Sequence, residues 1–311
     1  MRVFSLRAAA LLPLSLLVFS CEQETTTEVM EIETAAPRFL DLPAAKGGTA
    51  TLGKSADGRS VTVAMAEYIT AADSDEMGNT VFFNNRGNKQ LSFDFVPGQS
   101  IDGTDAISYY VDETRPSDDV PVEVSTDAIV RSMDTWNDVT CSDLSMFRVP
   151  NNGRATGFYS FLFGFGGSLD YVADVVHNGW MPAQFFDRIA PNGSRSILGV
   201  TFTLVFIDNN GNILDEDNDG KGDVAWREIY YNDRFNWSDG SGIDIETVSL
   251  HEAGHGLSQG HFGKAFRTNK NGKVHFSPRA VMNATYSGLQ TEIDGTDNGG
   301  HCSNWGSWPN N

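Results

Sequence analysis

The stretch beginning at residue 251 reads HEAGHGLSQGH and sets three of the chain's six histidines beside one glutamate. On a helix, His251 and His255 stand one turn apart on the same face, so both imidazoles can reach one ion at about 2.0–2.1 Å. Glu252 projects beside them. It is badly placed to share the ligand shell but well placed to hydrogen-bond a water in an open coordination position, where a general base belongs. His261 falls about 240° further round at 100° per residue, so a continuing helix would turn it away from the ion. The helix must therefore stop. Gly256 and Gly260 make a stop cheap, because a left-handed cap costs glycine no side-chain clash. A reversed chain then brings His261 back as third ligand. Three imidazoles with an open fourth position suit catalytic zinc, whereas structural zinc is usually closed by four protein ligands and favours cysteine.

HEAGHGLSQGH resembles the HExxHxxGxxH motif of the metzincin zinc proteases, and SPRAVMNATYSG resembles their Met-turn. The resemblance implies zinc (Zn2+) on His251, His255 and His261, with Glu252 as catalytic base. It places Met282 beneath the metal and Tyr286 where the matrixin branch often carries tyrosine. ISYYVD with the STDAIVRSMDTWNDV that follows, and IYYNDRFNW, are similar to the first strand, first helix and edge-strand region of matrixin-like domains. The likeness spans residues 105–311 and implies an α/β (α+β) zincin-like fold: a twisted mixed five-stranded sheet, an active-site helix and a small C-terminal subdomain. The function it implies is a zinc endopeptidase, a metalloprotease hydrolysing extracellular proteins or peptides. Residues between His261 and Tyr286, including the hairpin expected in RTNKNGKVHF, would wall the pocket next to the cleavage point.

Two departures matter. Ser258 stands where the family has glycine, and serine in a left-handed turn costs roughly 1–2 kcal/mol. Either that cost is met, or the turn moves to Gly256 or Gly260. There is also no cysteine in the N-terminal region beyond Cys21, so the thiol that keeps matrixin proenzymes latent is not expected. A rival reading is a non-catalytic, metal-stabilised binding lipoprotein, against which an intact Glu252 speaks. His177, His275 and His301 are read as structural.

DEDNDGKGD places Asp215, Asp217 and Asp219 at alternate positions ahead of Gly220, with Asp223 beyond. Such spacing lets carboxylates converge on a hard cation such as Ca2+, although the closing glutamate of an EF-hand is replaced by Trp226. A solvated acidic turn is the other reading, and both stay open. Calcium sites are common in matrixin-like domains, which the resemblance adds to the first.

The elements that must position these residues are partly legible. IDIETVSLHEAGH spaces Ile245 and Val248 for a buried helical face running into the histidines, and SILGVTFTLVFID is apolar enough for a strand covered on both faces at the sheet's centre. In STDAIVRSMDTWND, Ser125 or Thr126 could cap a helix with Ile129, Met133 and Trp136 on one face. FYSFLFGFGG reads as a buried strand end with bulges or as a substrate-facing loop. Upstream, VTVAMAEYIT reads as a strand, and TVFFNNRGNKQLSFDFVPG as a hairpin around NNRGN.

The first twenty residues carry Arg2 and Arg7 ahead of a short apolar run, as an export signal does. Val18-Phe19-Ser20-Cys21 resembles a lipobox, making Cys21 a lipidation site; cleavage by ordinary signal peptidase is the alternative. The expected organisation is a signal peptide (1–20), a lipid-anchored tether (21–53), a small β-rich region that could serve as a prosegment (54–104), and the catalytic domain (105–311). The protein is then an outer-membrane or cell-surface lipoprotein, or secreted if Cys21 is unmodified, and touches membrane only through its lipid. Cys141 and Cys302 remain, free to form a disulfide outside the cytoplasm or to stay as two buried thiols. A formal net charge of −19, more negative still once Arg2 and Arg7 are removed, disfavours nucleic acid. A monomer is expected.

Overall fold

The computed structural model describes residues 29–42, 53–54, 58–83, 92–268 and 272–310. Cys21 and the expected export signal lie outside the described residues. The strands are β1 (Val29–Ile32), β2 (Arg38–Leu40), β3 (Gly53–Lys54), β4 (Ser60–Thr70), β5 (Thr80–Phe83), β6 (Phe93–Asp94), β7 (Ile107–Val111), β8 (Met146–Arg148), β9 (Val175–Met181), β10 (Ile197–Ile207), β11 (Gly222–Asn232), β12 (Trp237–Ser238), β13 (Ile243–Asp244), β14 (Lys264–Thr268) and β15 (Val274–Ser277). The helices are α1 (Val122–Asn137), α2 (Phe158–Leu162), α3 (Ala183–Phe186), α4 (Gly193–Ser196), α5 (Ile245–Gly256) and α6 (Gly295–Trp305).

The architecture is mixed α/β. Its main sheet runs β2-β5-β4-β10-β11-β9-β7-β8, with β3 paired to β4 and β6 to β11. The β11-β9-β7-β8 part is parallel, while β10 is antiparallel to both β11 and β4. Both faces are covered, which is why β10 and β11 are buried along their whole length and β10 reads as a nearly unbroken apolar run. Ile229 and Tyr231 of β11 enter one core with Ile129, Met133 and Trp136 of α1 and Ile245 and Val248 of α5. Tyr230 enters the other, with Phe158, Tyr159, Phe185 and Phe186. That period of two is what a sheet covered on both sides requires.

The sheet has ten strands among the described residues, not the five expected. The excess comes from upstream of residue 105. β4 lies along β10 from Ser60 opposite Ile207 to Thr70 opposite Ile197, and Val61, Val63 and Ala66 enter one core while Ala64 and Ile69 enter the other. The stretch expected as a tether also contributes strands, with β1 pairing β14 and β2 pairing β5. The NNRGN turn lies outside the described residues, and the strands flanking it do not form a hairpin: β5 pairs with β4 and β2, and β6 with β11. β11, expected near an edge, lies between β10 and β9, because β4 and β10 extend the sheet past it.

Helix α1 starts at Val122, one turn before the expected caps. Pro121 (φ −55°, ψ 146°) fixes the direction in which the chain enters, and Ser125 and Thr126 are buried inside the helix, where Ser125 Oγ donates to the carbonyl of Val122. FYSFLFGFGG is not a strand end. Phe158–Leu162 is a short helix, followed by glycines 164, 166 and 167 at φ 78°, 81° and 104°. The expected hairpin is present, as β14 paired antiparallel with β15. A disulfide joins Cys141, just beyond α1, to Cys302 of α6.

Candidate metal centre

Helix α5 begins at Asp244, whose carboxylate accepts from the backbone N–H of Thr247 at 2.8 Å and from its hydroxyl at 2.6 Å. The helix is locked laterally to α1, where Trp136 Nε1 donates to the Leu250 carbonyl at 2.9 Å and the hydroxyls of Ser132 and Ser249 meet at 2.7 Å. It ends in a Schellman turn: Gln259 N–H reaches the Gly254 carbonyl and Ser258 N–H the His255 carbonyl, both at 3.0 Å. Ser258 itself takes the left-handed position, φ 66°. The turn has moved neither to Gly256 nor to Gly260.

The reversal brings the three imidazoles together. His255 Nε2 lies 3.1 Å from His251 Nε2 and 3.2 Å from His261 Nε2. On the far side of the rings, His251 Nδ1 donates to the Val281 carbonyl and His255 Nδ1 to the Gln259 carbonyl, each at 2.7 Å. Those bonds put the ring protons on Nδ1, so the Nε2 lone pairs of His251 and His255 face one another. Burial holds His251 and His261 well below the ordinary histidine pKa, in the neutral form that ligates metal. Burial also works against charge on His255, but the Glu67 carboxylate, 3.3 Å from Nδ1, outweighs it and raises that pKa. Converging lone pairs repel unless a cation sits among them. Four donors at 2.0–2.1 Å around a tetrahedral ion stand about 3.3 Å apart, close to the separations found. The three histidines therefore fit a metal ion, and imidazole donors suit zinc and the other borderline-soft transition ions.

The turn carrying Met282 lies directly under the helix. A Cβ on Gly254 would stand 2.3 Å from Met282 Sδ, so that contact requires glycine. Asp297 of α6 accepts from the backbone N–H groups of Val281 at 2.9 Å and Met282 at 3.1 Å, which fixes the carbonyl that orients His251. The Tyr286 hydroxyl donates to the Gly242 carbonyl at 2.6 Å and accepts from Asp244 N–H at 3.2 Å, tying this segment to the start of α5.

Glu252 is fully buried. One carboxylate oxygen accepts from Thr201 Oγ1 of β10 at 2.6 Å and the other from Ile69 N–H of β4 at 3.4 Å. Burial pushes its pKa up to about 7. Gly199 makes the room, since a Cβ there would lie 2.8 Å from Glu252 Cγ.

Asp297, Glu67, Thr201 and Arg227 have no signature in the motif, and only the fold assembles them around it. Arg227 of β11 is wholly buried and donates to the His255 carbonyl at 2.7 Å, Ser258 Oγ at 2.9 Å, Thr203 Oγ1 at 2.9 Å and the Phe93 carbonyl at 3.1 Å. It also explains the serine. The hydroxyl accepts a charge-assisted bond that glycine could not offer, offsetting the left-handed strain. We therefore expect Ser258→Ala, which keeps the strain and loses the bond, to destabilise the fold by about 1.5–3 kcal/mol. Ser258→Gly should cost roughly 1–2 kcal/mol less than that. Urea-unfolding midpoints of the two variants check the order.

Asp215, Asp217 and Asp219 converge so that one oxygen of each lies within 4.8 Å of the others. Asp219 is already paired with Lys221 at 2.8 Å, and that ammonium also reaches Asp94. Asp223 stands apart from the group. It is buried, accepts from Glu216 N–H at 3.0 Å, and burial raises its pKa to about 6. His177 and His301 are buried away from the triad, the first against the Tyr231 hydroxyl at 2.7 Å and the second stacked on Trp136.

No protein-family model matches the chain, and no curated protein matches it.

Proposed function

We propose that this chain is a zinc-dependent endopeptidase of matrixin-like metzincin type, with a zincin-like fold, exported as a lipoprotein through Cys21. The reading rests above all on one observation: the oriented imidazoles of His251 and His255 converge with His261, while the Glu252 carboxylate stands beside them outside the group of ligand atoms. The helix-turn geometry through Ser258 and the Met282 turn supports it. When bound, a zinc ion polarises the scissile carbonyl and makes water nucleophilic near neutral pH. Glu252 takes the proton of the attacking water on a carboxylate oxygen and passes it to the departing amine nitrogen. Thr201 holds that carboxylate in place, while Val281 and Gln259 hold the ring protons on Nδ1 of His251 and His255. Among the described residues no helix is long and apolar enough to cross a membrane, which is compatible with attachment through lipid alone.

The complete burial of Glu252 beneath β4 favours a second reading, a metal-stabilised binding lipoprotein without turnover. Metal analysis of the purified chain, followed by digestion of a broad peptide library, separates the two. One zinc per chain is expected, with cleavage that stops on chelation and returns with added zinc. A fully zinc-loaded chain that leaves the library intact, even after β4 has been loosened, would defeat the peptidase reading.

A further inference from the structure

An extended stretch of the chain itself already lies across the candidate centre. β4 is hydrogen-bonded along β10, the strand that presents Gly199 and Thr201 to Glu252. Its inner end is gripped from both sides. Ala71 N–H donates to the Ser196 carbonyl at 2.8 Å on the β10 side. On the other side Tyr286 N–H donates to the Thr70 carbonyl at 2.8 Å, Thr70 N–H reaches the Ala284 carbonyl at 3.4 Å, and Thr70 bridges Thr285 in parallel. Between these grips, Ile69 N–H points at the Glu252 carboxylate and the Glu67 carboxylate rests against His255. The chain then folds back so that Gly78 N–H also donates to the Ala284 carbonyl at 2.8 Å, and a Cβ on Gly78 would stand 3.2 Å from His261 Cε1.

This backbone takes every edge that an extended peptide would need in order to lie beside Glu252. Sheet addition requires a free row of N–H and C=O groups, and here β10 and the 284–286 segment have given theirs to residues 60–71. On this side the centre is covered, with His251, His255 and Glu252 all fully buried, while His261 is half-buried. The strand also brings a buried carboxylate, Glu67, to the centre, where His255 offsets the cost of its burial. The segment that follows it, around Asp73 and Asp75, is exposed, and so is the stretch Asp102 to Asp105 that leads into β7. On its other edge β4 pairs with β5 and β3, so withdrawal from β10 carries those strands with it. No cysteine takes part, so the obstruction is backbone pairing rather than a thiol on the ion.

We infer that residues 60–71 are a tethered occupant of the peptide cleft, and that substrate enters only when this strand withdraws from β10 and from residues 284–286. The inference rests on the peptidase reading for the word substrate, while occlusion of the centre is testable without it.

The test uses the zinc-loaded full chain and a fluorescent peptide hydroxamate, whose hydroxamate binds a zinc ion only where the ion can be reached. In the double variant Ile69→Pro with Ala71→Pro, the donors to Glu252 and Ser196 are removed. With two backbone bonds lost from the closed state, probe affinity should rise about 30-fold over wild type. A synthetic peptide of residues 60–72 should displace the probe from that variant. No gain in probe binding by the folded variant overturns the inference. Should the variant not fold, amide hydrogen exchange on the probe-saturated wild type decides: residues 61–71 must lose protection, and retained protection overturns the proposal. A variant that binds the probe but cleaves nothing in a peptide library leaves the occupied cleft standing and defeats the peptidase reading alone.

Discussion

On the peptidase reading proposed above, changing Glu252 to Gln should lower peptide turnover by about 10²–10⁴-fold and leave one zinc per chain, measured in a form whose β4 has been loosened. The substitution keeps the shape of the side chain and its capacity to accept from Thr201 Oγ1, now 2.6 Å away, so the packing against Gly199 survives. What it removes is a basic oxygen. The three ligand atoms belong to other residues, and those of His251 and His255 are oriented by the carbonyls of Val281 and Gln259, neither of which touches Glu252, so metal affinity has no reason to fall. Burial pushes the glutamate's pKa up to about 7 against the opposing pull of His255 and the Thr201 and Ile69 hydrogen bonds, and a nearby cation adds to that pull, favouring the ionised base. A variant that lost zinc together with activity would show that Glu252 supports the ligand set instead of the reaction. A variant that kept turnover would remove it from the mechanism. Kinetics, with zinc quantified by mass spectrometry on the same samples, distinguish these results.

Much of the centre was legible because its signals are local. The i, i+4 spacing of His251 and His255 is a property of one helix, and the apolar run of β10 reports burial on both faces wherever its neighbours come from. The answer at Ser258 was not legible. Three positions could make the turn on propensity, and the choice depends on Arg227, a partner on β11 that no local pattern reveals. Glu67, Thr201 and Asp297 were missed for the same reason, since each reaches the site through a long-range contact. VTVAMAEYIT announced a strand but not its partner. Strand pairing is a choice among edges, and the turn-like NNRGN suggested a local hairpin where β5 instead pairs with β4 and β6 with β11. The start of α1 went to Pro121 over Ser125 and Thr126, because the proline fixes the entering backbone and packing claims the hydroxyl residues for the helix interior. In each case the deciding contact is distant in sequence.

Replacing Cys141 and Cys302 together by serine should lower global stability by roughly 3–5 kcal/mol, the second large effect expected. The disulfide closes a loop of 161 residues that contains β9, β10, β11, α5 and the turn of Met282. In the unfolded chain a link of that span removes about 5 kcal/mol of conformational freedom on the chain-entropy account, and some of this is returned by structure left in the unfolded state. The bridge also pins the C-terminal helix. Asp297 stands at the start of α6 holding the Val281 and Met282 amides, and Trp305 near its end donates to the Leu257 carbonyl at 2.9 Å beside the Schellman turn. Loosening α6 therefore acts on both the carbonyl that orients His251 and the reversal that returns His261. Zinc affinity should fall along with stability, by about 10–100-fold if Asp297 loses its hold, as is usual when a partner behind a metal ligand is removed. Urea titration of the zinc-loaded double variant measures the first effect and competition with a calibrated chelator the second. An unchanged zinc affinity despite the lost stability would mean that α6 keeps its place through Trp305 and Trp308 packing alone, and that the disulfide acts only on the unfolded chain.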